Sequence, residues 1–187
     1  MSERAGERED APQAAGKSSR GFAAFLKGFR AAIAAAAPAD LALLAAGATA
    51  AILMIVTEFS DIYSVKVLTA TCEDLADPSL ADRCVATGGE QHAYAFVVLG
   101  LFALLMAWGA AIGHSRPAAL ALAAAGVAVL LIALIGDLPD TTKTGALGVN
   151  FSEAKAYKDT GFWLELIAGP LAVIAGGLGL IRAGPRP

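Results

Sequence analysis

Charged residues are almost absent from four long stretches of this chain, and their absence argues against a water-soluble fold. Each stretch has about the length that a helix needs to cross the hydrocarbon core of a bilayer, roughly 20 residues at 1.5 Å rise. A hydrophobic content of 57% and a mean hydropathy of +0.62 agree with this interpretation. The sequence therefore predicts an all-α integral membrane protein, with four transmembrane helices over residues 39–58, 93–113, 117–136 and 161–181.

The sequence also lacks the motifs by which common enzymes are recognised. It contains no H-E-x-x-H zinc motif, no G-x-S-x-G nucleophile motif, no glycine-rich phosphate loop and no C-x-x-C pair. We therefore expect a protein that is not an enzyme and that has neither catalytic residues nor a cofactor. Only the N-terminal tail carries mixed charges of the kind that could meet a nucleic acid, so we expect no nucleic-acid partner.

Cysteine is scarce, because Cys72 and Cys84 are the only two in the chain. Both fall in the predicted first outer loop, and an isolated pair outside the membrane most often forms a disulfide. Closing such a loop contributes about 3 kcal/mol to its stability. A pair of free, buried thiols is the alternative, and a zinc site is disfavoured because two thiols do not complete a tetrahedral shell.

The N-terminal part of the chain divides into two segments by composition. Residues 1–19 are polar with mixed charge, which predicts a disordered cytoplasmic tail. Residues 20–37 repeat phenylalanine at helical spacing, with the basic residues on another face, which predicts an amphipathic helix lying in the lipid headgroup layer. A signal peptide is the alternative, but a full-length span follows directly. Residues 38–187 then form the four-helix transmembrane domain.

Lysine and arginine are distributed unevenly between the two sides of the predicted bundle. Nine lie on the side that carries both termini and five lie on the opposite side. Because cytoplasmic loops are enriched in these residues, both termini are predicted to be cytoplasmic. The outer loops are then 59–92 and 137–160, and the short turn around Pro117 makes an up-down bundle. The alanine-rich composition favours a bacterial cell membrane.

This layout is similar to that of claudin-type tetraspan proteins. The shared features are four spans, cytoplasmic termini and a long first outer loop that contains a cysteine pair, here Cys72 and Cys84. The loop over residues 59–92 contains no tryptophan, so the tryptophan-containing signature of that family before the first cysteine is missing. The resemblance therefore covers the layout alone.

Four polar residues are predicted at the outer ends of the spans, and we regard them as the candidate site. An up-down bundle brings these ends together, and Glu165 is the most informative, because a carboxylate that follows Phe162 to Leu164 is costly unless it faces the bundle or a wet cavity. Three carboxylates and a histidine could bind a divalent cation or transfer a proton. The alternative is that each acid caps a helix or reaches headgroup water. The four candidates are Glu58, His92, Asp137 and Glu165.

The function most consistent with the sequence is a non-catalytic accessory subunit or adaptor of a membrane complex. Its expected partners are the lipid bilayer and other membrane subunits or further copies of the chain. The alternative is a small transporter or ion-conducting protein that uses the acidic outer cluster, although no span carries an ionisable residue near the midplane. Small residues at helical spacing favour close helix contacts; they are Gly47 and Ala51, then Ala103, Ala107 and Ala111, then Ala168, Ala172 and Gly176.

Overall fold

The chain folds as a bundle of helices with a small sheet at one end. The structure is a computed structural model, and it describes residues 15–67, 70–71, 85–144 and 152–184. The helix over Arg116–Leu131 continues through a π-helical turn over Ile132–Asp137 and a last turn over Leu138–Asp140. The helices are α1 Ala15–Ala35, α2 Pro38–Thr57, α3 Gly88–His92, α4 Ala95–Ala111, α5 Arg116–Leu131 and α6 Thr160–Arg182, and the strands are β1 Asp61–Val67, β2 Ala70–Thr71, β3 Val85–Thr87 and β4 Ala154–Lys158.

Helix α1 forms a unit of its own, separate from the unit that begins at Pro38. It begins at Ala15 rather than at residue 20, so the last residues of the predicted tail are helical. Residues 1–14 of that predicted tail lie outside the described residues. Leu26 and Phe29 are both exposed on α1. Its location in a lipid headgroup layer stays a prediction.

Helices α2, α4, α5 and α6 pack as a four-helix bundle. Helix α2 contacts α4 and α6, and α5 contacts the same two helices from the other side. The predicted small-residue positions on α2, α4 and α6 are all buried in these contacts. A Cβ atom added to Gly126 of α5 would lie 2.6 Å from the carbonyl oxygen of Gly169, so only glycine permits this backbone approach.

Three of the described helices, rather than four, are long and apolar enough to span a membrane: α2, α6 and α5 with its extension to Asp140. The predicted span over 93–113 is wrong in its bounds, because α4 has only 17 residues and a length of about 25 Å. The physical reason lies just before it. Ala93 and Tyr94 adopt the left-handed conformation, with φ of 51° and 62°, so the chain turns there and α4 begins only at Ala95.

The prediction of an all-α fold is wrong at the end of the bundle where α2 ends, because a four-stranded antiparallel sheet lies there. Strand β1 follows α2 after a turn at Phe59 and Ser60. Strands β2 and β3 pair with one edge of β1, and β4 from the second outer loop pairs with the other. Buried Val65 packs against Tyr63, Val85, Ala154 and Ala156. The sheet therefore joins the two outer loops, and we call this end the sheet end.

The predicted disulfide cannot be placed in this architecture. Cys72 and Cys84 both lie in the segment 72–84, outside the described residues. The structure therefore gives no support to a disulfide-pinned loop, and the disulfide stays a prediction. Within the described residues, the first outer loop is held instead by strand pairing and by the contact of α3 with the end of α2.

Candidate cation site at the sheet end of the bundle

The structure brings all four sequence-predicted residues together at the sheet end. Glu58 directly follows α2, His92 ends α3, Asp137 ends the π-helical turn and Glu165 lies in the second turn of α6. Glu165 is 0% exposed, Glu58 and Asp137 are each 1% exposed, and the His92 side chain is 8% exposed. Glu165 therefore faces the interior of the bundle, and His92 lies at the margin of the cluster.

His92 contacts two carboxyl groups of the cluster. Its Nε2 lies 3.2 Å from both carboxylate oxygens of Asp137, and its Nδ1 lies 3.9 Å from Oε1 of Glu165. The ring also stacks on Phe96, with centroids 4.5 Å apart and an interplanar angle of 26°. One ligand atom from each of His92, Asp137 and Glu165 lies within 4.8 Å of the other two, so these three residues could share an ion.

The position of His92 depends on the short helix α3, which is fixed by a capping box. The backbone N–H of Thr87 donates to Oε2 of Glu90 at 3.0 Å, and the N–H of Glu90 donates to Oγ1 of Thr87 at 3.4 Å. Together these two bonds satisfy donors that the start of a helix would otherwise leave free. They make α3 a defined turn of helix, with His92 at its end.

Two glycines place α3 directly against the end of α2. The N–H of Gly89 donates to the carbonyl of Glu58 at 2.8 Å, and the N–H of Gly88 donates to the carbonyl of Ser60 at 3.0 Å. A Cβ atom on Gly88 would overlap the carbonyl oxygen of Thr57. The pair Gly88-Gly89 therefore brings the backbone that carries His92 into contact with the backbone that carries Glu58.

Asp137 reaches the cluster through the π-helical turn of α5. The N–H of Leu138 donates to the carbonyl of Ala133, five residues earlier, where an α-helix would bond four residues earlier. Pro139 follows and has no N–H to continue an α-helical ladder. Within this turn Ile135 is 71% exposed whereas Asp137 is buried. The wider turn thus directs Asp137 inward, and such turns are frequent at functional sites.

Glu58 joins the cluster from the end of α2. Its Oε1 accepts a hydrogen bond from the backbone N–H of Phe96 at 2.6 Å, and so satisfies a donor in the first turn of α4. Other polar atoms of the cluster are buried and make no hydrogen bond within the described part of the chain: Glu58 Oε2, His92 Nδ1, and both Oε1 and Oε2 of Glu165.

A rim of polar residues borders the cluster. Nε2 of Gln91 donates to Oδ2 of Asp140 at 2.9 Å, and Nζ of Lys143 donates to Oδ1 of the same carboxylate. This hydrogen bond raises the pKa of the exposed Lys143 above its ordinary value, with the opposite charge of Asp140 adding to the effect. Sequence analysis did not single out these residues, although Asp140 and Lys143 stand at the three-residue spacing of neighbours in a helical turn.

The opposite end of the bundle carries one buried carboxylate of its own. Asp40, in the first turn of α2, is 6% exposed, and its Oδ1 lies 3.2 Å from Nε of Arg182 in the last turn of α6. This ion pair joins the start of α2 to the end of α6. The two ends of the bundle thus differ, because the Asp40 carboxylate has an arginine partner, whereas Asp137 and Glu165 at the sheet end have His92 as their basic neighbour among the described residues.

The cluster at the sheet end has an excess of acidic groups over basic ones. Burying a carboxylate is costly unless it is paired, hydrogen-bonded or bound to a metal ion. Here the buried carboxyl groups of Asp137 and Glu165 lie beside the imidazole of His92, and neither oxygen of Glu165 accepts a hydrogen bond from an N–H or O–H donor of a described residue. Chemically, the arrangement suits the uptake of positive charge, as protons or as a metal ion.

Comparison of the chain with known protein families, with curated proteins and with solved structures gives no match.

Proposed function

We propose that this chain is a non-catalytic, multi-pass membrane protein that takes up a cation in the buried cluster at the sheet end. The observation that carries the proposal is the burial of Glu165, at 0% exposure, with neither carboxylate oxygen accepting a hydrogen bond from an N–H or O–H donor of a described residue. His92 and Asp137 lie beside it. A bound cation or proton would offset the cost of keeping these acidic groups away from water.

The proposal includes α4 as a fourth crossing of the membrane. Its 17 residues reach the lower limit for a transmembrane helix, which is about 17 residues. It packs between α2 and α5 in the bundle, and its outer surface is apolar, with Val98 70% and Leu105 66% exposed. A helix that packs between two helices of spanning length and presents an apolar outer surface is best accommodated in the same bilayer.

An even number of crossings places both termini on one side, and we propose that this side is the cytoplasm. The Asp40–Arg182 ion pair supports the same-side arrangement, because it joins the start of the first bundle helix to the end of the last. The cluster then opens toward the outside of a cell membrane, where a cation would enter past His92. The bacterial origin of that membrane stays a prediction.

The role of accessory subunit or adaptor is a second candidate. An ordered sheet outside the helix bundle favours it, since strand β4 presents Lys155, Tyr157 and Lys158 as exposed side chains on a folded surface. Purification in a mild detergent tests this candidate. A stoichiometric membrane partner would support it, whereas isolation of this chain alone from its native membrane would contradict it.

Cation-dependent stability tests the main proposal. The full chain in detergent is heated at several pH values and with Mg²⁺, Ca²⁺, Mn²⁺ or Zn²⁺, and its Tm is recorded. We expect at least one of these conditions to raise the Tm of the wild type and to leave the Tm of Glu165→Gln unchanged. Glu153→Gln, at an exposed position, is the matched control and should respond like the wild type. A wild-type Tm that responds to no cation and to no pH would refute the proposal.

A further inference from the structure

We infer that the cation at the sheet end is a divalent transition metal ion of the zinc type, held between Nδ1 of His92 and the carboxylate of Glu165. This inference rests on the proposed function, and it narrows the cation to one chemical class. Three observations carry it: the separation of the two ligand atoms, the hydrogen bond on the other nitrogen of the imidazole, and the lack of hydrogen-bond partners for the buried atoms that face each other.

The first observation is the distance of 3.9 Å between Nδ1 of His92 and Oε1 of Glu165. It is too long for a hydrogen bond, since a donor–acceptor distance of about 3.6 Å is already too long for one. Two ligand atoms that each lie about 2.1 Å from a tetrahedral ion are roughly 3.4 Å apart. The pair is therefore near the spacing of two ligands of one ion, and a tetrahedral angle requires the two atoms to approach each other by roughly 0.5 Å.

The second observation is the contact of the other imidazole nitrogen with Asp137. Nε2 lies 3.2 Å from both oxygens of that carboxylate. In the tautomer that carries its proton on Nε2, this N–H donates to Asp137 and the lone pair of Nδ1 is available to a metal ion. A carboxylate behind a histidine is the usual arrangement at zinc sites, because it fixes the tautomer and makes the ligand more basic. Asp137 is thus a positioning residue. The His92 ring also stacks on Phe96, and this contact fixes the orientation of the imidazole plane.

The third observation is that the facing atoms are buried without hydrogen bonds to the described residues. Nδ1 of His92 and both oxygens of Glu165 belong to this group. Imidazole nitrogen is a ligand that suits zinc and similar ions, whereas Mg²⁺ and Ca²⁺ prefer oxygen alone. Water is the available source of further ligands, because Glu58 does not belong to the group whose ligand atoms lie within 4.8 Å of one another, and its Oε1 accepts from Phe96.

The test uses the full chain, stripped of metal with a chelator and held in detergent. Zn²⁺ is titrated against a competing chromophoric chelator to obtain Kd, and Co²⁺ is added separately because its visible absorption reports nitrogen and oxygen ligation. Ca²⁺ is titrated in parallel. The variants are Glu165→Gln and His92→Gln, which remove one ligand each, Asp137→Asn, which keeps an acceptor for the imidazole N–H, and the exposed control Glu153→Gln.

We expect Zn²⁺ to bind one ion per chain and Ca²⁺ to bind far more weakly. Glu165→Gln and His92→Gln should abolish the tight site, and Asp137→Asn should weaken it about 10- to 100-fold, the usual cost of losing such an orienting group. Glu153→Gln should bind like the wild type. If a variant does not fold, the wild-type preference for Zn²⁺ over Ca²⁺ and the Co²⁺ spectrum still test which class of metal ion binds.

Three results would overturn the inference, and they differ in what they imply for the proposed function. A wild type that is stabilised by protons or by Ca²⁺, but binds no Zn²⁺, would refute the metal class and keep the proposed cation uptake. Zn²⁺ binding that survives both Glu165→Gln and His92→Gln would place the metal elsewhere on the chain. A wild type that responds to no cation would refute both proposals together.

Discussion

At the scale of single residues, the buried carboxylates of this chain make different interactions. Asp40 faces an arginine at one end of the bundle, whereas Glu58 accepts a hydrogen bond from the start of α4 at the other. Glu165 has neither kind of partner among the described residues. Because an unpaired buried charge is the costliest of these states, Glu165 is the residue whose presence most requires a functional explanation.

Substitution of Glu58 tests its contact with α4. Glu58→Ala removes the acceptor for the buried N–H of Phe96, and an unsatisfied donor of this kind costs about 1–3 kcal/mol. Glu58→Gln keeps an oxygen in the same place and should cost less. Unfolding of the purified protein in mixed detergent micelles measures the difference. Equal stability of the alanine and glutamine variants would contradict the capping role.

Lys143 provides a prediction about pH. Its pKa is raised above 10.5 by the hydrogen bond to Asp140, so the charged form is favoured by the folded state. This contribution to stability is present below the ordinary lysine range and is lost as the pH rises through the raised pKa. A carbon NMR titration of Lys143 should show the raised value, and Asp140→Asn should lower it. If the pKa of Lys143 is the same in Asp140→Asn as in the wild type, the hydrogen bond to Asp140 is not the cause of the raised pKa.

At the scale of helices and strands, the packing depends on glycine and alanine at the contacts of α6 with α5. Gly176 and Gly177 are neighbours in α6 but face different surroundings. A Cβ atom on Gly176 would lie 2.6 Å from the backbone nitrogen of Ala123, whereas one on Gly177 would meet nothing within 4 Å. The two positions therefore form a natural pair of test and control.

Gly176→Ala should destabilise the bundle by about 1–3 kcal/mol, since the added methyl group forces α5 and α6 apart. Gly177→Ala should be neutral or stabilising by up to about 1 kcal/mol, because alanine is the better helix former. The measurement is the free energy of unfolding of both variants in the same detergent. Similar destabilisation by both substitutions would contradict the prediction that close packing of α5 against α6 at Gly176 determines the stability of the bundle.

Parts of the fold and of the site can be predicted from local sequence, and the rest depends on contacts between distant segments. Glu58, Asp137 and Glu165 could be placed at one depth because helix rise converts position along a span into depth. Strand β4 could not be predicted, since its sequence Ala154–Lys158 contains no β-branched residue and its pairing partner is β1. The start of α4 at Ala95 could not be predicted either, because the left-handed residues before it, Ala93 and Tyr94, are not glycines.

At the scale of the whole molecule, the bundle has two chemically distinct ends. One end is closed by the Asp40–Arg182 ion pair, and the other carries the cluster beneath the sheet. In an up-down bundle the turn between α4 and α5, at Ser115, lies at the first end, and Thr142 lies at the second. The two positions should therefore be on opposite sides of the membrane.

Labelling of single cysteines tests this arrangement. Cys72 and Cys84 are first replaced by serine, and Ser115→Cys or Thr142→Cys is then introduced. In intact cells a membrane-impermeant maleimide should label Thr142→Cys, which is exposed, and should label Ser115→Cys only after the cells are opened. Labelling of both variants in intact cells would contradict four crossings with cytoplasmic termini.

The most direct measurement is anomalous diffraction from crystals of the full chain grown with Zn²⁺, recorded above and below the zinc absorption edge. We expect one anomalous peak per chain at the sheet end, about 2.0–2.2 Å from Nδ1 of His92 and from a carboxylate oxygen of Glu165. Crystals of Glu165→Gln should lose that peak, whereas crystals of Glu153→Gln should keep it. A wild-type cluster without a peak, or a peak confined to exposed loop residues, would contradict metal binding at this site.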